Sequence, residues 1–182
     1  MKQLIFILLI IMLLPSAACT GPVSGKAIKG KIVDAETGQP IEGAILLVEW
    51  TKNHGFGNTY TTSEKAIEVL SDKNGAVTIP GYNDSTAENP DVTIYKPGYV
   101  AWNNYWIFPG YKKRSDFSWI GGYVFKLERF KSEYSYIDHE EYVMSCIHSG
   151  LANKNKSILE KTYSQSEYQE IRKELDKKQE RK

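Results

Sequence analysis

Between Ala27 and Leu127, hydrophobic side chains recur at every second position in short runs separated by Gly, Pro, Asn and Asp. Ile28-Lys29-Gly30-Lys31-Ile32 alternates apolar or small residues with charged ones, the period-two signature of a half-buried strand. In Ala44-Ile45-Leu46-Leu47-Val48-Glu49-Trp50 the even positions are all apolar, while the odd set ends in Glu49 and Thr51. The even set is assigned to the core, and Glu49 and Thr51 to the outside. Ala66–Leu70, Val77 with Ile79, Val92–Ile94 and Tyr123–Leu127 predict further strands. Asp72-Lys73-Asn74-Gly75 predicts a hairpin turn, because Asn and Gly tolerate positive φ. His54–Asn58 and Asn83–Pro90 read as loops. Six or seven short strands with such turns predict a mainly β protein, a sandwich over residues 27–130.

From residue 131 to 182 the period changes to that of a helical extension. Asp138-His139-Glu140-Glu141 predicts a capped helix start, after which Tyr142, Val143, Cys146 and Ile147 share one face. Gly150 predicts its stop. A second helix is expected within Ser157–Tyr163. A third is expected from Gln165 toward Lys178, opened by the capping box Ser164-Gln165-Ser166-Glu167 and striped by Tyr168, Ile171 and Leu175. The charged end, Lys177–Lys182, is expected to fray.

The first residues read as processing signal. Met1-Lys2 is followed by Leu4–Leu14, made only of Leu, Ile, Phe and Met, too short for a comfortable membrane-spanning helix. Pro15 ends the run, and Ser16-Ala17-Ala18 supplies the small residues a signal peptidase cleaves after. Residues 1–18 are thus a signal peptide and residues 19–26 a modified Cys with its tether. Ser-Ala-Ala-Cys resembles the bacterial lipobox, with Ser16 where a larger aliphatic is usual, and this implies a diacylglyceryl lipid on Cys19. The alternative is ordinary cleavage with an unmodified Cys19, free to pair with Cys146, the second of two cysteines. Both readings predict export, and the lipid reading holds the protein at the cell envelope. Thr20, rather than Asp, after the cysteine favours the outer over the inner membrane.

Composition narrows the function classes. Across 182 residues, 23 Lys+Arg balance 22 Asp+Glu, which supplies no global field for nucleic acid. Lys112-Lys113-Arg114 is too short a basic run to change that.

The sandwich region resembles the carboxypeptidase regulatory-like domain family. Gly30–Gly38 fits that family's first strand and turn, and Gln39-Pro40-Ile41-Glu42-Gly43-Ala44 the start of its second strand. Asp72–Gly75, Val77, Ile79, Val92–Ile94 and Lys96-Pro97-Gly98-Tyr99 fit its middle hairpin and closing Gly-Tyr. The resemblance covers Ala27–Tyr99, and Tyr123–Leu127 loosely. It implies a seven-stranded transthyretin-like β-sandwich used for folding, packing and display, without catalysis or cofactor. Tyr99 is expected to bury its ring and bond a backbone group.

Candidate chemistry is sparse. A catalytic zinc site needs His and Glu three apart with a distant His, yet His54, His139 and His148 are followed three later by Gly57, Tyr142 and Leu151. His139, Cys146 and His148 cluster in sequence, and the helical period predicts a surface His139, a half-buried Cys146 and a helix-end His148. No metal or cofactor is expected. Tyr99–Tyr123 concentrates aromatic rings among Asn, Lys, Arg and Asp. Trp102, Tyr105, Trp106, Tyr111 and Trp119 are the candidate binding surface, since flat rings give contact area at low entropy cost. The competing reading is that these rings cover the open end of the sandwich and pack on the helical tail. The functional expectation is a non-enzymatic, lipid-anchored envelope protein displaying a surface to an envelope partner. The alternatives are a glycan-binding module using Trp102, Trp106 and Trp119, and an accessory of a separate peptidase.

Overall fold

The computed structural model describes residues 27–55, 60–81, 90–148 and 158–180. The leader, Cys19 and the tether lie outside the described residues, as do Gly150 and most of the two expected loops. The strands are β1 (Ile28–Asp34), β2 (Ile45–His54), β3 (Tyr60–Leu70), β4 (Ala76–Ile79), β5 (Asp91–Tyr95), β6 (Trp102–Asn103), β7 (Trp106–Ile107), β8 (Lys112–Lys113) and β9 (Tyr123–Leu127). Two helices follow, α1 (Tyr136–Ser145) and α2 (Ile158–Glu180). The strands form a three-stranded sheet, β4-β1-β9, a four-stranded sheet, β3-β2-β5-β6, and a ribbon, β7-β8.

The two larger sheets pack as a sandwich. Ile28 and Ile32 of β1, Val77 and Ile79 of β4, and Phe125 and Leu127 of β9 meet Leu46, Val48 and Trp50 of β2, Val92 and Ile94 of β5, and Trp102 of β6. The even set of β2 therefore faces the inter-sheet core, as its alternation predicts. The odd set departs from expectation. Ile45 and Leu47 form a second core with Tyr95, Phe108, Tyr142, Val143, Leu159 and Tyr163, because both helices lie over the outer face of the four-stranded sheet. Glu49 and Thr51 share that face and are buried too, instead of facing solvent. A strand covered on both sides loses the outward polar face that alternation normally reports.

The Asp72–Gly75 turn forms, with Gly75 at φ 72°, but it is not a hairpin. It joins β3 in one sheet to β4 in the other. Asp72 Oδ1 accepts the N–H groups of Asn74 and Ala76, each at 2.8 Å. A Cβ on Gly75 would lie 2.3 Å from the Ile32 carbonyl oxygen, so only glycine fits both the angle and the space. Tyr99 half-buries its ring as expected, but its hydroxyl donates to Asp34 Oδ2 at 3.0 Å rather than to a backbone group. Asp34 also accepts the N–H groups of Thr37 and Glu36, and the Thr37 bond leads in holding its carboxyl down to about 2.

The helical layer differs from the sequence reading in two ways. Ser135, not Asp138, caps α1, accepting the Asp138 N–H at 3.2 Å. The two helices expected after Ser157 are one, Ile158–Glu180, continuous through Ser164–Glu167 and on into the charged end expected to fray. Within it the Ser166 hydroxyl bonds back to the Tyr163 carbonyl at 3.2 Å, a habit that lets serine sit inside a helix. Carboxylates from elsewhere serve both helix starts, where unpaired N–H groups and the dipole favour negative charge. Glu68 of β3 accepts from Ile158 and Leu159 N–H at 2.8 Å, and Glu174 of α2 accepts from Tyr136 N–H at 2.8 Å.

Candidate functional site

The aromatic segment starts on β6, where two asparagines pin the chain. Asn103 Oδ1 accepts the N–H groups of Tyr105 and Trp106 at 2.8 and 3.0 Å, and its Nδ2 donates to Thr93 Oγ1 at 3.1 Å. Asn104 Oδ1 accepts the Val92 N–H at 2.7 Å, and its Nδ2 donates to the Pro90 carbonyl at 3.1 Å. Both are buried. Sequence reasoning missed this role, since an Asn pair between aromatics reads equally well as exposed polar decoration.

The pinned segment separates its rings into three environments. Trp102 is only 4% exposed and belongs to the inter-sheet core. Phe125 and Phe117 meet it edge-on, at 5.0 and 5.4 Å, and the Arg114 guanidinium lies 4.5 Å from its ring centre. Phe117 also packs on the half-buried Trp119 at 4.8 Å, so these rings close the open edge between β6 and β9. Phe108 enters the helical core among Tyr134, His139 and Tyr142. Tyr105 is half-buried, and Trp106 and Tyr111 stand 42% and 44% exposed on the β7–β8 ribbon. A single platform of Trp102, Trp106 and Trp119 is therefore not formed, because burial by Phe117 and Phe125 withdraws Trp102.

Two clefts flank Arg114 and share Trp102, Arg114 and Lys126 as walls. One, of about 200 Å³, is completed by Val100, Phe108 and Glu128 among others. The other, of about 240 Å³, is completed by Asp116, Tyr123 and Val124. Arg114 is committed to structure: its Nε donates to the Asn103 carbonyl at 2.6 Å, and Asp116 lies 3.2 Å from its terminal nitrogen.

The His139–Cys146–His148 region is structural and more deeply buried than its helical period suggests. His139 is fully buried, not on the surface. Its Nε2 accepts the Ala101 N–H at 3.0 Å, so the ring proton resides on Nδ1, beside the Tyr163 hydroxyl at 3.2 Å. Desolvation holds its pKa down to about 4. Cys146 is buried rather than half-buried, and desolvation pushes its thiol up to about 11, far from a nucleophile's range. His148 pairs with Asp91 at 2.6 Å, and that hydrogen bond raises its pKa. The His148 N–H donates to Glu49 Oε2 at 2.9 Å, while Glu49 Oε1 has no partner among the described residues. Desolvation raises Glu49 to about 7. Among the described residues no group of three or more His, Cys, Asp and Glu side chains is placed to hold a metal ion.

No protein-family model and no curated protein matches the chain. Among solved structures, a shaft pilin SpaA from Lactobacillus rhamnosus GG (a D295N mutant) is similar at 17% identity and TM-score 0.33, over 58% of this chain and 48% of that one. The group B streptococcus pilus 2b backbone protein is similar at 15% identity and TM-score 0.34, over 58% and 41%. Hydroxyquinol 1,2-dioxygenase from Pseudomonas putida DLL-E4 is similar at 16% identity and TM-score 0.35, over 62% and 59%. The aligned part spans less than two thirds of each of these chains. Likeness this low carries no functional argument; the β-sandwich rests on the strand order and core described above.

Proposed function

We propose that the protein is an exported, non-enzymatic lipoprotein of the cell envelope, anchored through Cys19 and displaying its sandwich to an envelope partner. The carrying observation is one of order along the chain. An apolar run, Leu4–Leu14, ends in Ser16-Ala17-Ala18-Cys19, and the first strand begins only nine residues later, at Ile28. The placement of Cys146 supports the lipid over a disulfide. Its side chain is 2% exposed under the helical layer, where its own carbonyl accepts the Thr93 hydroxyl. A bond to Cys19 would require that layer to open. The family-like segments fall on β1 and its turn, the β2 start, the β3–β4 turn and the β5 exit, which supports a carboxypeptidase regulatory-like, transthyretin-like sandwich. Outer-membrane residence rests on Thr20. The display surface is the β7–β8 ribbon with Trp106 and Tyr111; these two exposed rings also support the glycan reading in a reduced form. The test is cell fractionation. Cys19→Ser should move the protein from the membrane to the soluble exported fraction, still folded; retention of the variant in the membrane would refute the lipid anchor.

A further inference from the structure

The outer face of the four-stranded sheet is covered by helices, whereas that of the three-stranded sheet is open except at Val33 of β1, which is bridged to Pro40 and buried. Lys29 and Lys31 of β1, Ala76 and Thr78 of β4, and Val124 and Lys126 of β9 are all exposed, alternating with the core residues of the same strands. The register gathers them: Lys29 lies opposite Thr78, Lys31 opposite both Ala76 and Val124, and Lys126 opposite Val33. With strands about 4.8 Å apart and alternate residues about 7 Å apart, the three lysines fall within roughly 15 Å. The outward positions of these strands carry no acidic residue; Asp116 and Glu128 border the face at Lys126 but pair with Arg114 and Lys131, and none of the three ammonium groups has an ion pair among the described residues. Of the exposed lysines elsewhere, Lys131 pairs with Glu128 and Lys173 with Glu170.

The chain enters the fold at one end of this sheet's central strand. Ile28 is the first residue of β1, so Lys29 lies only three residues from the tether that ends at Lys26. The Lys29 carbonyl accepts the Gly122 N–H at 2.7 Å, which brings the 51% exposed Ile120 to the rim of the same end. A Thr20–Lys26 tether reaches roughly 20–25 Å at full extension, enough to lay this face on the surface that holds the anchor.

We propose that this face docks on the phosphate-bearing headgroups of an anionic bilayer, with Lys29, Lys31 and Lys126 reading the charge. The inference rests on the lipoprotein reading for its geometry: a tethered domain needs a second contact to fix its orientation, and a basic face beside a lipid supplies one. Each lysine near an anionic surface is worth about fivefold in partition, and three together about 150-fold.

The test is co-sedimentation of residues 20–182 with vesicles, which keeps every packed contact described from Ile28 onward and removes leader and Cys19. Binding is expected to vesicles of phosphatidylglycerol in phosphatidylcholine, not to pure phosphatidylcholine, and to fall steeply with salt. K29Q/K31Q/K126Q should lower it about 100-fold, while K112Q/K113Q on the ribbon leaves it near wild type. Thermal melts check that all variants fold; single substitutions, each expected to cost about fivefold, replace the triple should it not. No binding, equal binding to pure phosphatidylcholine, an unchanged triple variant, or binding to heparin without binding to vesicles would each overturn the proposal. Because Cys19 is absent from this assay, the docking face and the lipid anchor can fail separately.

Discussion

Glu49→Gln should make the protein more stable at neutral pH, although it removes a buried group that a neighbour already hydrogen-bonds. Glu49 is 1% exposed on a strand covered from both sides, and only one of its oxygens has a partner among the described residues. Its carboxyl rises from 4.5 to about 7 in the fold, with desolvation the leading cause. Between those values the folded state holds a proton the unfolded state has released, so stability falls as pH rises from about 4.5 to about 7. A shift of that size corresponds to about 3 kcal/mol, a large fraction of a domain's stability. His139 acts in the opposite sense. Its pKa falls from 6.5 to about 4, so the unfolded state binds the extra proton there and stability rises with pH over that window, again by about 3 kcal/mol. The two slopes oppose each other where the windows overlap, so the wild type masks part of each. The amide introduced by Glu49→Gln keeps an oxygen for the His148 N–H and cannot ionise. The variant should match wild type near pH 4, where Glu49 is protonated in both states. It should then gain up to about 3 kcal/mol by pH 8 and lose stability on acidification along the unmasked His139 slope. Urea unfolding across this range reads all three quantities. A Glu49→Gln protein no more stable than wild type near pH 8 would show that the carboxylate is better satisfied than its contacts indicate.

Two further predictions concern packing. Leu46, fully buried between the sheets, should not tolerate Asp, because an unpaired core charge costs several kcal/mol; a soluble, cooperatively melting Leu46→Asp protein would mean that the β2 phase is wrong. Trp102→Ala should cost about 3–5 kcal/mol and Trp106→Ala under about 0.5 kcal/mol in thermal unfolding, since one ring is enclosed and the other stands on the ribbon. Equal costs would contradict this division of the aromatic segment.

The inter-sheet core was legible because alternation reports directly which side chains point inward. Leu46, Val48, Val77, Ile79, Phe125 and Leu127 all obey it. The second core was not, although β2 carried a hint: Ile45 and Leu47 make its odd set apolar as well, which a strand facing water does not need. Turn chemistry located Gly75 correctly but could not say which sheet the next strand would join, a choice made by long-range pairing with β1. The capping-box pattern misled at Ser164–Glu167, because the same residues serve inside a helix when Tyr95 of the sheet takes up the side chains. Its hydroxyl lies 2.7 Å from Ser166 Oγ and donates to Glu167 Oε1 at 2.5 Å. The candidate surface was half legible: the sequence concentrates the rings, and only the Asn103–Asn104 pins and the Phe117 lid decide which of them meet solvent.

The most direct test of the lipoprotein account is the mass of the mature N-terminal peptide from membrane-fractionated cells. The account predicts a chain beginning at Cys19 with a thioether-linked diacylglyceryl group, and Cys146 recovered as a free, slowly alkylated thiol. An unmodified Cys19 in a disulfide with Cys146 would contradict it.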